Sequence, residues 1–312
     1  MSTYRKHLPQ LDGGLFLTDG GIETDLIFND GMELPYFAAF DLLKTEKGMG
    51  VLRAYYARYA AIAKANGVGF ILESPTWRAS ADWGGKLGYS QAALARANVK
   101  AIELMAQLRR EYGSKTTAMV ISGCVGPRGD GYDPGVVMTA DEAQAYHAEQ
   151  IGVFAETNAD MVTAITMTNA NEAIGLTRVA QAAGTPVAIA FTLETDGRLP
   201  TGQGLKEAIE EVDGATGNGP AYYMINCAHP THFEHALEPD ASWVTRVRGV
   251  RANASTKSHA ELDEATALDD GDPDDLARRH GSLRLGLPSL SVVGGCCGTD
   301  HRHVEAICRT LL

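Results

Sequence analysis

Ser291-Val292-Val293-Gly294-Gly295-Cys296-Cys297-Gly298-Thr299 is an apolar, β-branched run that loosens at a glycine pair and ends in two adjacent cysteines. In a regular strand neighbouring side chains point to opposite faces, so two sulfurs converge only where the backbone leaves strand geometry. Gly294, Gly295 and Gly298 supply that freedom. The stretch reads as a strand whose C-terminal end carries two ligands of a zinc site. Cys227 closes a second run of the same kind, Tyr222-Tyr223-Met224-Ile225-Asn226-Cys227, so two strand ends can share one metal.

Outward from these two runs the same pattern repeats along the chain. Short β-branched and apolar segments are predicted as strands at 15–18, 69–73, 118–122, 161–166, 187–193, 222–226, 250–254 and 290–294. Between them, amphipathic stretches predict helices over 48–66, 90–112, 140–158, 171–183, 204–216, 231–237, 259–280 and 300–311. Strands that alternate with helices make a parallel sheet, and eight of them close a barrel. The expected fold is α/β: a single (β/α)8 TIM barrel filling residues 1–312 as one domain, with its site at the C-terminal ends of the strands. Asp19-Gly20-Gly21, Glu73 to Ser80, Glu194 to Arg198, Cys227 and Cys296-Cys297 all fall at those ends.

Composition narrows the class of partner. An apolar content of 45% with 21% charged residues supports a sizeable core. A formal charge of −12 opposes binding to nucleic acid, which needs a basic surface. The first eleven residues hold no apolar leader and no 18-residue apolar run occurs, so a cytoplasmic protein without membrane attachment is expected. Five cysteines, an odd number, do not form a disulfide framework and point to metal binding or catalysis. Cys124 and Cys308 are expected as small buried hydrophobes. Neither glycine cluster, Gly202-Gln203-Gly204 or Gly294-Gly295, completes a nucleotide fingerprint, so no nucleotide cofactor is expected. The acidic stretch Glu261 to Asp275, eight carboxylates in fifteen residues, reads as a solvated helix and loop. The sequence does not fix an oligomeric state.

Three thiolates leave one tetrahedral zinc position open, as in a catalytic site. His229 or His301 is an alternative ligand in place of one thiolate. If a substrate thiol enters the open position, the metal removes its proton, and the negative centre that results attracts a cationic donor. Asp19-Gly20-Gly21 can offer backbone N–H groups and a carboxylate to an amino-acid substrate.

Asn226-Cys227, Gly294-Gly295-Cys296-Cys297-Gly298 and Asp19-Gly20-Gly21 together resemble the zinc-dependent homocysteine S-methyltransferases. Trp77-Arg78-Ala79-Ser80, Gly126-Pro127, Asn169 to Ala173, and Phe191-Thr192-Leu193 followed by Gly197-Arg198-Leu199 fall in the family's order, so the likeness covers nearly the whole chain. The resemblance implies methyl transfer to the thiol of homocysteine or a related thiol, with Zn2+ as cofactor and no catalytic side chain beyond the activated thiol. It implies substrate contacts at Asp19, Gly20, Thr24, Trp77 and Asn226, with the Trp77 ring facing the donor's cationic group. The short members of the family resemble this chain most, and no long extension is present for cobalamin or folate, so S-methylmethionine or S-adenosylmethionine is the expected donor. A zinc hydrolase on the same barrel and a non-catalytic zinc- or thiol-binding barrel are the alternatives. A hydrolase would use histidine and carboxylate ligands rather than thiolates.

One departure bears on the acceptor. Where the family carries a glutamate for the amino group of homocysteine, this chain has Ile165. Either Glu73 or Glu194 takes over that role, or the pocket receives a thiol without an α-amino group. Pro75 and Glu73 also replace the family's usual Thr-Thr-Asn approach, and that joint change favours the second outcome.

Overall fold

The computed structural model describes residues 2–312. Eight parallel strands close a barrel in sequence order. They are β1 (Phe16–Leu17), β2 (Gly69–Glu73), β3 (Met119–Val125), β4 (Met161–Met167), β5 (Val187–Thr192), β6 (Tyr222–Asn226), β7 (Val247–Ala252) and β8 (Val292–Gly295). Their residues are buried almost without exception, because each strand faces the barrel interior on one side and the helical layer on the other.

The helices begin and end where local chemistry satisfies their free backbone groups. Thr45 accepts from the Gly48 N–H ahead of the helix Glu46–Asn66, which stops at Gly67 with φ +64. Thr139 and Glu142 form a reciprocal capping box ahead of Ala140–Ala155. The segment 259–280, expected as one helix, is instead two, His259–Asp263 and Pro273–Gly286. The break has a readable cause: Gly271 turns the chain with φ +55, and Asp272 caps the Asp274 and Asp275 N–H groups with Pro273 as first helical residue.

The two ends of the barrel differ. The N-terminal end is plugged by the chain's own first residues, with Leu8 and Gln10 buried against Phe16, Met161, Tyr222 and Val292. The Ser291 hydroxyl donates to the Gln10 carbonyl at 3.0 Å, which fixes the plug. The C-terminal end opens into a cavity of about 320 Å³.

Candidate active site

Three sulfurs meet at one side of this cavity. Cys227, Cys296 and Cys297 place their Sγ atoms all within 4.8 Å of one another. The Cys227 and Cys296 sulfurs are in contact, and the Cys297 sulfur stands beside them. His229 and His301 stand apart from the cluster: His229 Nδ1 faces the Thr231 hydroxyl at 2.8 Å at a helix start. Cys124 and Cys308 are buried, as small hydrophobes would be.

The backbone leaves strand geometry to bring these sulfurs together. Cys227 itself takes φ +51, and Thr166 at the end of β4 takes φ +65, conformations that side chains other than glycine seldom adopt. The register between β4 and β5 shifts between Ala164 and Met167 at the same place. Asn226 ties the two strained residues together: its Oδ1 accepts from the Thr166 N–H at 2.9 Å and its Nδ2 donates to the Thr166 hydroxyl at 2.9 Å. Asn226 Nδ2 also lies 3.9 Å from the Cys296 sulfur. Expected as a substrate contact, Asn226 is fully buried away from the cavity lining and holds the thiol cluster instead.

The turn after β1 explains its glycines. The Gly21 N–H donates to the Thr299 carbonyl at 3.0 Å, and a Cβ on Gly21 would collide with the Cys296 carbonyl. The Thr24 hydroxyl accepts from the Gly298 N–H and donates to the Gly21 carbonyl, both at 3.0 Å. Thr24 thus locks the turn that carries Cys296 and Cys297, although it also lines the cavity.

Asp19 lines the cavity floor but is already engaged. Its Oδ1 accepts from Arg251 Nη2 at 2.7 Å and its Oδ2 from the Tyr55 hydroxyl at 3.1 Å. Burial raises the Asp19 pKa, and the Arg251 charge with the Tyr55 hydrogen bond counters it. Arg251 also donates to the carbonyls of Gly295 and Gly20, at 3.1 and 3.3 Å, and so laces β7 to β8 and β1. The signal for this residue was present in the sequence as a lone arginine between Val250 and Ala252 in an apolar strand.

Glu73 lies in the same cavity without an ion pair among the described residues. It is 3% exposed and neither carboxylate oxygen has a hydrogen bond of normal geometry. Burial pushes its pKa up to about 7, Arg251 opposes that rise, Asp19 adds to it and the nearby Thr163 hydroxyl opposes it. Glu194, the other candidate for an ammonium, turns elsewhere: its Oε1 faces His259 Nδ1 at 3.2 Å and it does not line the cavity. His259 Nε2 in turn donates to the Cys227 carbonyl at 2.6 Å. Ile165 lines the cavity as an apolar side chain, so the carboxylate expected at its position has no equivalent on β4.

Trp77 lines the cavity, with its ring N–H donating to the Ile165 carbonyl at 3.3 Å. One face of the ring is already covered by the Arg78 guanidinium, 4.0 Å from the ring centre, so only the other face is left for a substrate cation. Arg78 stacks as well on Trp83 at 3.7 Å and pairs with Asp130 at 3.3 Å.

Two residues without a sequence signal and one segment expected elsewhere complete the site. Tyr132, from the loop after β3, puts its hydroxyl 3.2 Å from the Cys297 sulfur and stacks on His259 with ring centres 3.9 Å apart. Glu23 lines the cavity beside Asp19. The acidic segment after β7 is no free solvated loop: Leu262, Asp263, Leu268 and Asp269 form part of the cavity wall. Its apolar residues among the acids were the available sign.

A family model described as homocysteine S-methyltransferase matches residues 16–311. The chain belongs to the homocysteine S-methyltransferase family. Membership makes it a thiol methyltransferase. The fold is similar to that of the homocysteine methyltransferase MmuM from Escherichia coli. Its metallated form superposes with a TM-score of 0.71 at 19% identity, covering 95% of this chain and 96% of that one. Its oxidized form gives a TM-score of 0.71 at 20% identity, covering 98% and 99%. A search of curated protein sequences finds no match. Among the described residues no helix is long and apolar enough to cross a membrane.

Proposed function

We propose that this family member transfers a methyl group from a small cationic donor, S-methylmethionine or S-adenosylmethionine, to the thiol of homocysteine, with zinc held by Cys227, Cys296 and Cys297. The observation that carries the reading is the convergence of three sulfurs on a cavity that also holds a buried carboxylate without an ion pair. A set of three thiolates suits zinc and leaves one tetrahedral position for an incoming group. When bound there, zinc would keep an entering thiol deprotonated, and therefore nucleophilic, at neutral pH.

The chain's own residues supply position and charge. Thr24 and His259 hold the backbone that carries the cysteines, and Asn226 faces the Cys296 sulfur, through the contacts given above. Glu73 receives the α-ammonium of homocysteine in place of the glutamate that β4 lacks. The uncharged cavity form of Glu73 costs little to bury, and an arriving ammonium favours the ionised form, giving a charge-assisted bond worth roughly 1.5–3 kcal/mol. This favours the relocated carboxylate over a thiol without an amino group. The acceptor sulfur attacks the methyl carbon as the donor's carbon–sulfur bond breaks, the electron pair leaves on the donor sulfur, and the thiol proton is released to solvent. Holding the two sulfurs in line is the main catalytic effect available.

The cavity supports a small cationic donor. Its volume of about 320 Å³ is at the low end of small-molecule sites. Its two cations, Arg78 and Arg251, are both paired with aspartates, so nothing in the lining is free to balance an anionic donor. The all-sulfur cluster gives no support to a hydrolase. The test is mass spectrometry of zinc-loaded protein incubated with carbon-13-labelled homocysteine and either donor. Labelled methionine, carrying the carbon label of homocysteine, is expected, and its absence with both donors would contradict the proposal.

A further inference from the structure

Glu23 is a carboxylate of the cavity that neither the sulfur cluster nor the acceptor's ammonium uses, and unlike Asp263 on the acidic wall segment it is not an exposed side chain. It stands in the helical turn Ile22–Thr24 directly after Asp19-Gly20-Gly21, half-buried and lining the cavity. Among the described residues its carboxylate makes no ion pair. Both nearby guanidinium groups are committed: Arg251 to Asp19 at 2.7 Å, and Arg78 to Asp130 and to its two tryptophan faces. Burial pushes the Glu23 pKa up to about 7; its own backbone N–H opposes the rise, Asp19 adds to it and the two arginines oppose it. A carboxylate drawn from water without a cation to pair with is unfavourable by itself, and such groups cluster at binding sites.

Glu73 and Glu23 differ in what surrounds them. Glu73 is at the end of β2 with both oxygens enclosed, a setting for a compact ammonium that donates hydrogen bonds. Glu23 is more open and lies on the loop that also brings Phe28 and Phe37 to the cavity, both partly exposed. A sulfonium or quaternary ammonium has no N–H to donate and wraps its charge in methyl groups, so it is held best by a carboxylate beside apolar and aromatic surface. Glu23 and Cys297 line the same cavity, so a donor seated beside the sulfur cluster is within the field of the carboxylate.

We propose that Glu23 is a specificity-determining residue for the methyl donor, its carboxylate facing the donor's positive sulfur or nitrogen while Glu73 serves the acceptor. The assignment rests on the reading of the cavity as a methyl-transfer site. It has a kinetic consequence. Transfer of the methyl group turns the sulfonium into a neutral thioether, so the attraction to Glu23 is stronger in the bound donor than in the transition state. Loss of Glu23 should therefore raise the donor's KM with little loss of kcat, and the neutral product loses its hold as soon as it forms.

The experiment compares binding of S-methylmethionine with that of 2-amino-5-methylhexanoate, its uncharged carbon isostere, by calorimetry on zinc-loaded wild type, Glu23→Gln and Glu23→Asp. Both ligands share the α-amino acid end, so the difference isolates the sulfonium charge. A preference of about tenfold or more for the sulfonium is expected in wild type, from the Coulomb attraction of two opposite charges across a partly screened cavity. Glu23→Asp should keep a preference, and Glu23→Gln should lose most of it while its homocysteine affinity stays within about threefold. A full sulfonium preference in Glu23→Gln, or an equal loss of homocysteine affinity, would overturn the assignment. Failure of the methyl-transfer reading shows separately, as absent labelled methionine in wild type that still prefers the charged ligand.

Discussion

The floor of the cavity around Arg251 and the positions of Glu23 and Glu73 are within one pocket and are both rich in charge, yet they are built on opposite terms. On the floor every charge has its partner: Asp19 takes Arg251 and Tyr55, and Arg251 goes on to two backbone carbonyls across three strands. At Glu23 and Glu73 the carboxylates are kept from water with no cation assigned to them. Paired groups of this kind hold a structure together, and unpaired ones weaken it unless a ligand completes them. The difference separates residues whose loss should unfold the protein from residues whose loss should spare the fold and damage binding.

The largest expected effect tests the floor. Asp19→Ala leaves Arg251 charged and buried without its partner, which should cost about 3–5 kcal/mol of stability. Chemical denaturation monitored by circular dichroism reads this loss, and a change below about 1 kcal/mol would place Asp19 with the ligand-binding carboxylates instead.

The next effect concerns the unpaired side and its sign is opposite. Glu73 has a folded pKa near 7 against an ordinary value of 4.5, so between those values the folded chain holds a proton that the unfolded chain has released. Wild-type stability should therefore fall as pH rises from 4.5 to 7. Glu73→Gln should remove up to ~3 kcal/mol of that fall, flattening the curve. Arg251 and Asp19 face Glu73 in both proteins and cancel in the comparison. Identical pH profiles for the two proteins would mean that Glu73 is ionised and paired.

The same substitution sharpens the comparison through binding. Glu73→Gln should raise the KM for homocysteine by about 10- to 150-fold while changing that for 4-mercaptobutyrate, which has no α-amino group, by less than about threefold. Equal effects on both thiols would show that Glu73 does not read the ammonium. Ile165→Glu, which puts a carboxylate back on β4, should recover part of the loss in the Glu73→Gln background.

The barrel was legible because its signals are local and repeated. Runs such as Gly69–Glu73 and Tyr222–Asn226 show their strand character within their own residues, and both form strands with those bounds. The three cysteines were equally plain, since strand ends have no packing need for paired thiols. What the sequence hid depends on side chains meeting across the barrel. Whether Glu194 or Glu73 faces the cavity is decided by His259, 65 residues away from Glu194, which claims its carboxylate. The role of Asn226 is set by a strained Thr166 on a strand two places away. The plug at the barrel bottom relies on Gln10, a polar residue that no hydrophobic pattern would place in a core.

The central claim is that Cys227, Cys296 and Cys297 act together as a zinc site, and the most direct test is the metal content of reduced, purified protein. Cys297→Ala and Cys308→Ala are compared with wild type, since Cys308 is a buried cysteine on the final helix and outside the cluster. The account predicts about one zinc per chain in wild type and Cys308→Ala, and its loss together with activity in Cys297→Ala, because a three-ligand site has no spare donor. Full zinc occupancy in Cys297→Ala, or none in wild type prepared with zinc, would contradict it.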